Sequence, residues 1–183
     1  QHSTPYSNPC LLFMVTKSMT RHILFSWHEW ELTRMTDVVD AATRSRMMSG
    51  IRSHDTMPEK HIRSLLHRAG FRFRLHRKDL PGKPDIVLPK YGAVIFVHGC
   101  FWHRHRCALF KWPRSNQDFW QKKINANAKR DEGNIAALAK IGWRVLIIWE
   151  CALKGKQAIR DDKLSKRTTH WLTSKAKCGS IPR

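Results

Sequence analysis

From residue 58 onward, the apolar positions alternate between the two periods that separate helices from strands. Ile62, Leu65, Leu66 and Ala69 fall at i, i+3, i+4 and i+7 after Pro58, with Gly70 as a stop, which predicts a helix carrying Glu59 in its first turn. Phe71-Arg72-Phe73-Arg74-Leu75 alternates with period two, and a Pro81-Gly82-Lys83-Pro84 turn separates it from Asp85-Ile86-Val87-Leu88. Two strands are expected there. After a turn at Pro89 to Gly92, Ala93-Val94-Ile95-Phe96-Val97 is apolar throughout, the pattern of a strand buried on both faces. Residues 98 to 116 show no period and read as loop. Ser115 followed by Asp118 has the form of a helix start, and Trp120, Ile124, Ile135 and Leu138 suit a long helix ending at Gly142, with a basic far face. Trp143 to Trp149 reads as another buried strand, and Leu164, Thr168, Trp171 and Leu172 as a closing amphipathic helix.

The expected order α, β, β, β, α, β, α describes an α/β domain built on a mixed sheet with helices on both faces. Residues 1 to 34 carry apolar clusters such as Ile23-Leu24-Phe25 without a sustained period, and Met35-Thr36-Asp37 has the look of a natural start. The expected layout is a disordered extension over residues 1–34, a single domain over 35–175 and a tail over 176–183.

Charge then points to a class of partner. Thirty-four Lys plus Arg against 14 Asp plus Glu leave a formal charge of +20, spread along the chain. A polyanion is the natural partner. No apolar run approaches the roughly 20 residues that span a bilayer, so nucleic acid is preferred over a membrane. A structural RNA-binding protein would share the charge, but eight Trp and five Cys suit a packed, metal-bearing domain better. The odd cysteine count and the absence of disulfide-framework spacing point to a reducing compartment, so a cytosolic location is expected.

Two constellations could carry chemistry. Asp85 opens a strand, where Asp is depleted, and taken alone it would read as a turn-capping residue. The following strand ends in His98, however, and adjacent strands lie about 5 Å apart, so a carboxylate and an imidazole could share a divalent ion or a water. The segment His98-Gly99-Cys100-Phe101-Trp102-His103-Arg104-His105-Arg106-Cys107 then packs three His and two Cys into ten residues. Cys100, His105 and Cys107 could supply three ligands of a tetrahedral zinc site. Cys151, just past the last expected strand, is the best-placed fourth, since Cys10 and Cys178 lie in segments with little predicted structure. The alternative is a set of buried, unligated cysteines with surface histidines. His98 and His103, outside that shell, are free for acid–base work. Met48, Phe101, Trp102 and Trp120 are candidates to insert between DNA base steps, although Trp120 also fits a helix core face.

These residues together resemble the very short patch repair (Vsr) endonucleases, relatives of restriction enzymes with an altered PD-(D/E)xK site. The likeness runs from about Met35 to Gly155, through Ala42-Thr43-Arg44-Ser45, Leu80-Pro81-Gly82-Lys83-Pro84-Asp85, the block from His98 to Cys107, Gly142-Trp143-Arg144-Val145-Leu146-Ile147 and Trp149-Glu150-Cys151-Ala152-Leu153. It implies a restriction-endonuclease-like mixed sheet flanked by helices, with a structural zinc at Cys100, His105, Cys107 and Cys151. It also implies Asp85 as the principal magnesium (Mg2+) ligand, His98 in place of the usual lysine, and Glu59 and His103 positioning and activating the attacking water. Phe101, Trp102 and Trp120 correspond to aromatics that open the stack beside a mismatch, with Met48 entering from the other groove. Two departures stand out. Val97 stands before the motif histidine where a member of the family has Thr, which leaves a magnesium contact only through its backbone carbonyl, and Arg104 and Arg106 interrupt the histidine-rich stretch.

The activity implied is nicking on the 5′ side of the thymine in T:G mispairs left by deamination of methylated cytosine. The protein would act as a monomer on double-stranded DNA, with other mismatch-repair proteins as candidate partners. Alternatives are a restriction-like nuclease of other specificity and a non-catalytic zinc module that binds DNA. Asp85 and Glu59 discriminate, because a pure binder gains nothing from carboxylates beside a phosphate.

Overall fold

Helix α1 (Met57–Arg68) begins at a capping box: Thr56 accepts from the Glu59 amide, and the Glu59 carboxylate returns to the Thr56 amide. Pro58 sits in the first turn, where its missing N–H costs nothing. The computed structural model describes Thr43, Arg46, residues 54–156 and residues 158–182. The extension expected over residues 1–34 and the candidate Met48 lie outside the described residues.

A five-stranded sheet follows, in the order β1 (Arg74–Leu75), β2 (Ile86–Leu88), β3 (Ala93–His98), β4 (Arg144–Trp149), β5 (Cys178–Ile181). The β1–β2 and β2–β3 pairs are antiparallel, and β3–β4 and β4–β5 are parallel. The parallel β3–β4 step needs a crossover, which helix α2 (Gln117–Lys140) supplies. Gly142, at φ +85, turns the chain from α2 into β4 in a conformation that favours glycine. Helix α3 (Asp161–Thr173) leads into β5.

The sheet divides the core in two. On one face Ile86, Leu88, Ile95, Leu146 and Ile148 pack against Ile62, Leu65 and Leu66 of α1 and Leu164, Trp171 and Leu172 of α3. On the other, Val87, Val94, Phe96, Val145 and Ile147 meet Ile135 and Leu138 of α2. The mixed sheet with helices on both faces is thus the expected architecture, with two differences. The strand expected from Phe71 narrows to Arg74–Leu75, since only those residues pair with β2. The element order also gains β5, whose Val145↔Cys178 and Ile148↔Ile181 pairings extend the sheet beyond β4. Among the described residues no helix is long and apolar enough to cross a membrane.

Candidate active site

The chemistry-bearing residues collect where β2 begins and β3 and β4 end. Asp85 is carried into β2 by the turn Pro81 to Pro84. Gly82, at φ +74, lies so close to α2 that a Cβ there would meet the Asn134 side chain at 2.9 Å. The turn is therefore pinned to the long helix. The Val97 amide of β3 donates to Asp85 Oδ2 at 2.8 Å, and Oδ1 has no hydrogen-bond partner among the described residues. Burial pushes the Asp85 carboxyl up to about 6, against the lowering effect of the Val97 bond, with nearby Glu59 pushing the same way as burial. A half-buried carboxylate with one oxygen fixed and one unengaged fits a divalent cation, which would favour its charged form.

His98 ends β3. Its ring is buried and stacks face to face on His103, with centroids 3.8 Å apart and planes 6° from parallel. Burial and the adjacent His103 hold His98 well below its ordinary value, so it is uncharged near neutral pH. Its Nδ1 is a buried polar atom with no hydrogen-bond partner among the described residues. His103 differs: its Nδ1 pairs with Asp131 Oδ2 at 2.5 Å, and both side chains keep some solvent access. Asp131 lies on α2, and the donor atoms of His98, His103 and Asp131 lie within 4.8 Å of one another. Asp85 belongs to no such three-residue group among the described residues. The sequence reading missed Asp131. The available signal was an acidic residue directly after the basic pair Lys129-Arg130 on the long helix.

Glu59 is 3% exposed and fully engaged. It accepts from the Asp55 amide at 2.9 Å, the Thr56 hydroxyl at 2.8 Å and Arg63 Nη2 at 2.7 Å. Arg63 also pairs with Asp55 and reaches His76 Nε2 at 2.9 Å. His76 follows β1 directly, one step past the Leu75↔Ile86 rung that lies next to Asp85. Asp55, Arg63 and His76 were likewise absent from the sequence reading. Asp55, Glu59 and His76 have the donors of a metal cluster, but a guanidinium already sits among them.

The loop after β3 brings the thiols together. Cys100, His105, Cys107 and Cys151 offer donor atoms all within 4.8 Å of one another. His105 Nδ1 lies 3.6 Å from Cys100 Sγ and 3.5 Å from Cys151 Sγ. The loop is shaped by the His105 amide bonding the Cys100 carbonyl at 3.0 Å and the Cys107 amide bonding the His105 carbonyl at 2.9 Å. Cys151 arrives on the 3-10 turn Glu150–Ala152 that follows β4. Burial pushes the Cys100 thiol far up and the Cys151 thiol up to about 11. Closely packed, protonated thiols around one imidazole are a donor set that a soft dication would ionise and satisfy, so the residues fit zinc. Trp149 joins this cluster to the histidines: His105 stacks on its indole at 4.1 Å, and His98 meets it edge-on at 5.4 Å.

Phe101, Trp102 and Trp120 form one aromatic cluster, with centroids 5.1 to 6.0 Å apart. Lys123 on α2 lies 5.6 Å from the Trp102 and Trp120 ring centres. Asn127 donates to the Trp102 carbonyl at 3.2 Å and Arg104 to Asn125 at 2.6 Å, so α2 holds the loop. Phe119, 48% exposed beside Trp120, belongs to the same surface and was not singled out in the sequence.

Comparison with known proteins bears on this arrangement. The family described as DNA mismatch endonuclease Vsr matches residues 36–109. The DNA mismatch endonuclease Vsr of Escherichia coli (strain K12) is 46% identical over 147 residues, 80% of this chain and 94% of that protein. The type II nicking enzyme V.XorIIP of Xanthomonas oryzae pv. oryzae is 53% identical over 125 residues, 68% of this chain and 92% of its own. The type II nicking enzyme V.NmeAIP of Neisseria meningitidis is 47% identical over 127 residues, covering 69% and 91%.

Proposed function

This chain belongs to the Vsr family of DNA mismatch endonucleases, and from that premise we propose that it nicks DNA on the 5′ side of the thymine in T:G mispairs. The mispair is the one that deamination of methylated cytosine leaves, and the enzyme acts as a monomer with magnesium as its catalytic ion. The observation that carries this reading is the placement of Asp85, gripped through Oδ2 by the Val97 amide, next to the strand end where His98, His103 and Asp131 meet.

In this reading His103 is the base. Its Nδ1 is taken by Asp131, which leaves Nε2 to accept a proton from the attacking water. The water oxygen bonds to phosphorus, the P–O bond to one sugar breaks, and solvent protonates the departing oxygen. His98 is uncharged and lies flat against His103, so it holds the base in place without competing for the proton. Its Nδ1 is buried and has no hydrogen-bond partner among the described residues. Glu59 positions the site through the Arg63–His76 network, because its own oxygens are already occupied. Asp85 and the Val97 carbonyl would hold magnesium, which supplies Lewis-acid charge to the scissile phosphate. Cys100, His105, Cys107 and Cys151 would hold zinc, which supplies folding free energy to the loop that carries His103.

Phe101, Trp102 and Trp120 insert beside the mispair, where unstacking costs less than at a paired step. Mapping the product decides the specificity: a single nick 5′ of the thymine on T:G duplex, and none on the fully paired duplex, is expected with magnesium present. Equal cleavage of both duplexes would favour a restriction-like nuclease of other specificity.

A further inference from the structure

The aromatic cluster continues past the three rings just assigned. Phe110 lies 6.3 Å from Phe101, and Trp112 meets Phe110 edge-on at 5.1 Å. The rings thus run in an unbroken line from Trp112 through Phe110 and Phe101 to Trp120 and Phe119. Phe110 is half-buried in that line, whereas Trp112 at its end is 43% exposed. Among the described residues the exposed large hydrophobic side chains are Met57, Leu75, Trp112, Phe119 and Ile141, so the two ends of this line account for both exposed aromatics. Leaving an indole in water forgoes its burial energy, and exposed rings joined in one contiguous surface, unlike a singly scattered one, mark an interaction site.

The surroundings choose the partner. Lys111 and Arg114 flank Trp112 and are exposed, as are Lys122 and Lys123 on the adjoining turn of α2. A protein or lipid-tail partner would meet a ring fenced by cations in a chain of net charge +20. A nucleobase carries its own phosphates to those cations and offers a flat face to the indole.

We propose that Trp112 is a further specificity-determining residue, whose indole stacks on a nucleobase displaced beside the mispair. The inference rests on the mismatch reading above. It extends the wedge from Phe101, Trp102 and Trp120 to a second platform on the 108–116 loop. Backbone contacts near it come from Lys111 and Arg114, which hold phosphates without reading sequence.

The test measures affinity for a T:G duplex and for the matching paired duplex at several salt concentrations, together with the fluorescence of 2-aminopurine placed beside the mispair. Trp112→Ala is expected to lose about tenfold in affinity for the mismatched duplex, about 1.4 kcal/mol, with little change on the paired one. It should also leave 2-aminopurine less quenched, and its salt dependence should match wild type. Trp112→Phe should recover most of the loss. The double variant Lys111→Gln, Arg114→Gln should instead weaken both duplexes alike and flatten the salt dependence by about 0.9 for each phosphate no longer neutralised. Should Trp112→Ala fail to fold, Trp112→Gln against Trp112→Phe gives the same comparison at an exposed position. Loss of affinity equal on both duplexes, or no loss in a folded variant, overturns the proposal. A wild-type protein that does not distinguish the two duplexes overturns the mismatch reading, and this inference with it.

Discussion

The imidazole rings of His98 and His103 lie face to face with centroids 3.8 Å apart. Two positive charges at that separation repel strongly, and the surroundings separate the roles. His98 is buried and held uncharged, while His103 has a carboxylate partner in Asp131. Burial suppresses the charge of one ring, and a carboxylate partner orients the other.

Asp131 is accordingly expected to matter for rate and not for binding. Asp131→Asn keeps the shape of the side chain but can turn a donor toward His103 Nδ1, favouring the wrong tautomer. Single-turnover nicking should slow about a hundredfold, within the range of general-base loss, while affinity for mismatched duplex stays within twofold. A variant that nicks at the wild-type rate would remove His103 from the role of base.

The raised carboxyl of Asp85 makes a signed prediction about pH. A carboxyl lifted from 3.8 to about 6 on folding adds stability that is fully present below 3.8 and lost as pH rises through about 6. In chelator, then, Asp85→Asn should melt above wild type at pH 7, and the gap should close as pH falls toward about 4. Magnesium should protect wild type at pH 7 and lose that protection below about 6, where the proton competes with it. Melting curves across pH, with and without magnesium, check both statements. A gap independent of pH would contradict the burial assigned to Asp85.

Two ion pairs should differ in worth because their exposure differs. Arg63 is 13% exposed and its partner Glu59 4% by side chain, whereas Arg77 and Asp79 are 31% and 58% exposed. Arg63→Ala strands a buried carboxylate and should cost about 3 kcal/mol. Arg77→Ala breaks a solvent-screened pair and should cost less than about 1 kcal/mol. Urea unfolding of the two variants in one buffer gives the comparison, and equal costs would mean that Glu59 is not held as described.

The thiol cluster predicts about one zinc per chain by metal analysis of purified protein. Cys151→Ser should lower zinc content and melting temperature together, since metal binding and folding are coupled at such sites. A variant that keeps both would require a different fourth ligand.

The sequence was legible where an element carries its own pattern. The apolar run from Ala93 to Val97, the spacing of Ile62, Leu65 and Leu66, and the face made by Leu164, Thr168, Trp171 and Leu172 all became the elements they predict. Cys178-Gly179-Ser180-Ile181 has no such pattern. It becomes a strand because β4 offers an unpaired edge and because Gly179 leaves room for the Trp171 indole, which a Cβ would meet at 2.3 Å. The thiol cluster was legible from composition within ten residues, with Cys151 reached by its place after a strand. Asp131 and His76 were not, because each acts through a partner on a different element, and pairing over that distance leaves no periodic trace; Arg63 stands four residues after Glu59 on the same helix, a spacing that the sequence does show.

The most direct test of the account is magnesium-dependent nicking of a T:G duplex by wild type and Asp85→Ala, with binding to the same duplex measured alongside. Wild type should nick with magnesium and stop with chelator. Asp85→Ala should bind the duplex through the same aromatic and cationic surface and leave it intact at every magnesium concentration. Full magnesium-dependent nicking by a folded Asp85→Ala protein would contradict the account at its centre.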